Sequence, residues 1–313
     1  MMQDPIYNRI EGIKRPSLTA ASALVLLAVA GLWLSSLAEW ALNVQGMAAL
    51  NALYYLPFVG LPLLVYALRK PGLSEGLRLN PLPGLSALAL ALLALLSVYV
   101  ASFLSFLWSL MLDSLGLTAP GTVPMPQTRS ELALSILTMA AFPAVFEELL
   151  FRGFVLSAWE TRGTAFAIGV SAALFALLHG NLYGLPAYIL VGAVAGLVTW
   201  ALDSVYAGIT YHTLYNAACL AIPFLMGPQA EVGTDAASFS ALRTAAMVMQ
   251  TMMMEGLMVI VLYALWQRAK TAGVVLIPRI HRPLADRERI LLAAAVLAMA
   301  ASAVIVQMIA VRQ

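Results

Sequence analysis

The chain has 313 residues, 62% of them hydrophobic and only 10% charged, with a mean hydropathy of +0.90. Soluble domains are nearer half apolar and roughly a quarter charged, so an ordinary soluble domain is excluded and repeated passage through a membrane is implied. The net charge of +2 names no partner and no nucleic acid is expected, while the single cysteine, Cys219, rules out a thiolate cluster and reads as a packing residue.

A hydrocarbon core of roughly 30 Å takes about 20 apolar residues as a helix. The first such run, 18–38, follows a mixed tail carrying Asp4, Arg9, Glu11, Lys14 and Arg15, and is too long for a signal-peptide core. It reads as a retained helix. Further candidates follow at 47–68, 83–112, 131–159, 163–180, 185–202, 205–226, 245–267 and 289–311. The Pro/Gly-rich stretches "PGLSEGLRLNPLPG" and "TAPGTVPMPQ" read as loops between them. Only "LDSV" separates the sixth and seventh, so eight spans plus an interfacial segment is the alternative to nine. Backbone polar groups in lipid must be satisfied internally, and no alternating barrel pattern is present. The expected fold is all-α: a polytopic transmembrane helical bundle of eight to nine spans around an intramembrane polar cavity.

Positive residues set orientation. Arg9, Lys14 and Arg15 precede the first span, Arg69, Lys70 and Arg78 follow the second, Arg162 follows the fourth, and Arg268, Lys270, Arg279, Arg282, Arg287 and Arg289 lie between the last two. The other side holds Arg129, Arg243 and Arg312 with acidic Glu231 and Asp235. A cytoplasmic N-terminus and an outer C-terminus follow, in an integral protein of a prokaryotic-type cytoplasmic membrane. The expected organisation is a tail at 1–17, helices and loops over 18–130, a central core at 131–226 and C-terminal helices over 227–313.

Ionisable groups inside spans mark function by default. Three segments carry them: "EELLFR" (Glu147–Arg152), "FALLH" (Phe175–His179) and "HTLYN" (His212–Asn216). Residues four apart share a helix face, so Glu148 and Arg152 can pair and keep a buried charge from being orphaned. Glu147 points about 100° away and has Phe151 four residues on. One glutamate therefore reads as structural and its neighbour as free for chemistry. Phe175 shares a face with His179, and His212 shares one with Asn216. Glu147 would be a general base, His179 would orient water or relay a proton, and His212 with Asn216 could meet a developing oxyanion. Asp113 and Asp203 read as interfacial, Glu255 as a weaker candidate, and His281 as a solvated loop residue. The stretch "HGNLYGLP" reads as a tight turn, with a dip into the cavity as the alternative to reaching the surface.

Taken together, "EELLFRG", "FALLH" and "HTLYN" resemble the EExxxR, FxxxH and HxxxN motifs of the CPBP family, the CAAX-protease and bacteriocin-processing intramembrane proteins, over roughly residues 135–225. The resemblance implies a helical bundle of about eight spans and an endopeptidase acting on a membrane-associated, CAAX-type or lipidated protein. Carried over by position, Glu147 activates water, Glu148 and Arg152 support it, His179 is the second-motif histidine, and His212 and Asn216 stabilise the oxyanion. The family has been described both as metal-dependent and as glutamate-type. A zinc site normally takes three protein ligands, for which Glu147, His179 and His212 are the alternative set; glutamate-activated water without a required cofactor is the favoured expectation. The rival classes are a proton-coupled transporter using the same groups as a relay, and a non-catalytic scaffold or immunity factor.

Overall fold

The computed structural model describes residues 13–44, 47–69, 72, 74–119, 125–227, 241–278 and 283–310. His281, the tail charges Asp4, Arg9 and Glu11, and Lys70, Glu231, Asp235, Arg279, Arg282 and Arg312 lie outside them. The described residues form nine helices and no strand.

Helix α1 spans Leu18–Leu42, opened by the Ser17 hydroxyl accepting from the Ala20 amide and closed by Asn43 in the left-handed region. Helix α2 runs Met47–Tyr55, widens into a π turn at Leu56–Gly60 and continues Leu61–Arg69. Helix α3 is Ser86–Ser114. Helix α4 is the most irregular: Arg129–Ser135, a π turn at Ile136–Ala141, Phe142–Glu148, a second π turn at Leu149–Leu156, then Ser157–Glu160. Pro57 lies inside the π turn of α2, and Pro143 lies two residues after the first π turn of α4. Proline has no N–H to donate, which favours the longer backbone bonds seen there, Leu61 to Leu56 and Phe142 to Leu137. Helices α5 (Thr164–Leu178), α6 (Leu185–Ala201), α7 (Val205–Met226), α8 (Ala241–Thr271) and α9 (Asp286–Ala310) complete the bundle.

Nine helices coincide with the nine expected segments, yet six are long and apolar enough to cross a membrane. Helices α5 and α6, at 15 and 17 residues, are apolar but short, rising about 22 and 26 Å. Helix α7, with 22 residues, is not among the six; it carries His212 and Asn216. The chain therefore has the composition and helices of an integral membrane protein, while the full count of eight or nine crossings exceeds what length and hydropathy carry.

The short helices sit at the centre. Helix α6 packs on α5, α7 packs on α3 and on the first π turn of α4, and α9 packs on α1. The α5–α6 crossing is close enough that a β-carbon on Gly192 would lie 3.0 Å from the Ala172 Cα. The segment before α1 and the α2–α3, α4–α5, α6–α7 and α8–α9 connections meet at one end of the bundle, as helices of alternating direction require. There Arg78 bonds Glu160 and Asp203, Arg15 reaches Glu160, and the Thr164 amide donates to Ile277 O.

Candidate active site

Pro143 and the two π turns of α4 bracket the short α-helical piece that ends in Glu147 and Glu148, and the two side chains part as their spacing predicts. Glu148 is fully buried. Its Oε1 accepts from Arg152 Nη1 at 2.8 Å, and Arg152 Nη2 donates to Gly192 O at 2.7 Å across the α4–α6 contact. Arg152 also lies over the Phe175 ring, 4.6 Å from its centroid. The expected Glu148–Arg152 pair is therefore present, with a second acceptor from α6 that local spacing could not reveal.

His212 comes from α7 and sits between the two acids. Its Nδ1 lies 3.0 Å from Glu148 Oε1 and its Nε2 lies 4.0 Å from Glu147 Oε2. A carboxylate beside Nδ1 requires the proton there, which directs Nε2 toward Glu147. The sequence paired His212 with Asn216 one turn on; the structure adds an anchoring carboxylate. Asn216 is half-buried and makes no side-chain hydrogen bond among the described residues.

His179 terminates α5, and its Nδ1 lies 2.8 Å from Phe175 O, so this nitrogen too carries a proton. Its ring stacks on Tyr188 at 4.0 Å and meets Phe175 edge-on at 4.7 Å. Phe175 in turn meets His212 at 5.5 Å, so one aromatic ring touches both imidazoles and the arginine. On a full-length fifth span His179 would fall near the far end, away from the other site residues. Helix α5 ends at Leu178, and the half-buried turn that follows packs against α3 and its C-terminal end. None of residues 179–184 is exposed, Trp108 Nε1 donates to Leu182 O, and the Tyr183 hydroxyl donates to Asp113 Oδ1 and Leu117 O.

Among the described residues Glu147 pairs with no arginine or lysine. The Tyr55 hydroxyl of α2 donates to its Oε1, and Oε2 faces His212. Sequence reasoning overlooked Tyr55; the one available signal was a tyrosine pair, Tyr54 and Tyr55, inside an apolar span. Around Glu148 the packing is tight. A β-carbon on Gly208 would lie 2.7 Å from Glu148 Oε2 and 2.6 Å from Thr199 Oγ1, so any side chain at that point of α7 would have to displace one of them.

Glu147, His179 and His212 do not form a ready metal site. Among the described residues no three His, Cys, Asp or Glu side chains converge closely enough to hold an ion. Two adjoining cavities of about 220 and 560 Å3 lie at the far cluster, against Arg15, Arg78 and Asp203. Neither is lined by Glu147 or the histidines.

Residues 129–218 match the family described as Type II CAAX prenyl endopeptidase Rce1-like. No curated protein matches the chain. No solved structure matches it either. The matched segment contains Glu147, Glu148, Arg152, Phe175, His179, His212 and Asn216, and excludes α1 to α3, hence Tyr55. The resemblance to CPBP-family CAAX proteases therefore holds on residues 129–218, the segment that builds this buried cluster.

Proposed function

We propose that this chain is an intramembrane endopeptidase that hydrolyses a peptide bond of a membrane-associated, CAAX-type or lipidated protein, using water activated by Glu147. The observation that carries the reading is the setting of Glu147: a buried carboxylate without a cationic partner, facing an imidazole whose other nitrogen is held by a second carboxylate. Glu147 Oε2 takes a proton from water as oxygen attacks the substrate carbonyl carbon, and returns it to the amine nitrogen as the C–N bond breaks. Asn216 Nδ2 donates to the oxyanion, joined by His212 Nε2 when both nitrogens of that ring carry protons, while His179 orients the attacking water through Nε2. Glu148, Arg152 and Phe175 hold the two imidazoles in place. No step runs through a metal, and chelation is expected to leave turnover unchanged. The cytoplasmic N-terminus and the prokaryotic-type membrane belong to the same proposal, on the strength of the positive charges grouped at one end of the bundle.

The test is cleavage of a quenched-fluorescence peptide with a farnesylated CAAX-type C-terminus by the detergent-purified protein. Glu147→Gln is expected to lower kcat by about 10²- to 10⁴-fold with an unchanged melting temperature. Equal turnover by wild type and variant would remove Glu147 from the mechanism. Ion flux in liposomes lost in the same variant, without peptide cleavage, would move the assignment to a transporter.

A further inference from the structure

The acid that the reading above makes the base is held by a helix outside the family-matched segment. Helix α2 is joined to α4 along a continuous seam. Asn51 Nδ2 donates to Thr138 O within the first π turn of α4. Four residues on, Tyr55 stacks on Phe146 at 5.6 Å and meets Phe142 edge-on at 5.9 Å, and its hydroxyl reaches Glu147 Oε1. One turn later the seam stays tight: a β-carbon on Gly60 would lie 2.7 Å from the Phe146 ring. The π turn Leu56–Gly60 begins directly after Tyr55, and the π turn Ile136–Ala141 ends just before Phe142. Such widened turns are frequent at functional sites because they re-aim side chains.

A carboxylate has two oxygens, and which one serves as base depends on what holds the other. With Oε1 fixed by a hydroxyl donor, only Oε2 is left toward His212. Tyr55 is itself buried and wedged between two phenyl rings, so it cannot follow a drifting carboxylate.

We infer that Tyr55 is a positioning residue of the hydrolytic centre, delivered by α2, which locks Glu147 Oε1 so that Oε2 is presented to water beside His212. This inference rests on the peptidase reading. It extends the site beyond residues 129–218 and makes the α2–α4 seam part of the machinery.

Tyr55→Phe keeps the ring and its packing and removes the hydroxyl alone. With the farnesylated peptide, it is expected to lower kcat by about 10- to 100-fold, the scale of a misplaced reacting group. KM is expected to stay within about twofold, since the substrate is not what the hydroxyl touches. A kcat equal to wild type, or a loss carried by KM, overturns the inference. A second measurement does not require turnover. The carboxyl stretching band of Glu147, assigned in infrared difference spectra by its loss in Glu147→Gln, is expected to shift in Tyr55→Phe; a band that does not move overturns the inference. An inactive wild type would count against the peptidase reading, and the infrared band would still decide whether Tyr55 holds Glu147.

Discussion

The molecule holds two buried clusters of mixed charge on the same helix, and they differ in how their acids are satisfied. At the end of α4, Glu160 accepts from Arg78 Nη2 at 2.8 and 2.7 Å, from Arg15 at 3.3 Å and from Thr164 Oγ1 at 3.2 Å. Further along α4, Glu148 has a comparable arginine, but Glu147 beside it has only a phenol and an imidazole. Burying a carboxylate is costly unless it is paired and hydrogen-bonded. Glu160 meets that condition with two cations and reads as a clasp joining the segment before α1 to the α2–α3 and α4–α5 connections. Glu147 meets it with one neutral donor, the Tyr55 hydroxyl, and its other oxygen is left open toward His212. Buried charge by itself therefore does not single out a reactive site; on the proposed reading, the acid left without an arginine or lysine does.

The comparison breaks most sharply if clasp and site acids prove alike in stability. Removing one member of a buried pair costs about 3–5 kcal/mol because its partner is left charged and alone. Glu160→Ala and Glu148→Ala are both expected to lose about that much, read as denaturation midpoints in detergent. Glu147→Ala is expected to lose only about 1 kcal/mol, the worth of one hydrogen bond. Equal losses at positions 147 and 148 would erase the division between base and clasp.

A smaller effect is expected at Gly208. An added methyl would press on Glu148 Oε2 and Thr199 Oγ1, and overpacking of this kind costs about 1–3 kcal/mol. Because Glu148 also holds His212, Gly208→Ala should reduce peptide turnover as well as stability. A variant less stable but equally active would uncouple Glu148 from the imidazole.

The smallest effect is at the clasp's rim. Burial pushes the Asp203 carboxyl above its ordinary value, against the opposing pull of Arg78. An acid whose folded value is raised contributes stability below its unfolded value and loses it as pH rises through the folded one. Asp203→Asn should therefore match wild type near pH 4 and gain on it toward pH 7, by less than about 1 kcal/mol because half the side chain is exposed. The opposite trend would mean that Arg78 dominates.

Much of this was legible in the sequence, and the limits are physical. Hydropathy located the nine helices of the described residues, because apolar runs of that length have few other uses. The three motifs named seven side chains, and contacts join six of them, Glu147, Glu148, Arg152, Phe175, His179 and His212; i and i+4 neighbours such as Glu148 and Arg152 share a face whatever else the fold does. What escaped was long-range. Tyr55, Gly192 and Gly208 act on Glu147, Arg152 and Glu148 from α2, α6 and α7, and no local periodicity encodes such an approach. The Arg15–Glu160–Arg78 clasp escaped for another reason: its cations were read as markers of sidedness, and nothing in their spacing announced a shared carboxylate. The end of α5 was legible, since the segment expected at 163–180 runs Thr164–Leu178; what no local spacing announced is the packing of the turn after His179 on Trp108 and Asp113.

The second π turn of α4, Leu149–Leu156, lies between Glu148 and Glu160. A π turn carries about one residue more than an α turn, and one residue is about 100° of rotation about the helix axis. That surplus sets the phase between the two acids, so a single helix can aim one toward His212 and the other toward Arg78. Excising one residue there would swing Ser157–Glu160 around α4 and draw Glu160 away from its arginines, leaving Glu148 in register. Two ends of a rod that look independent are thus geared to each other by a single unit of winding.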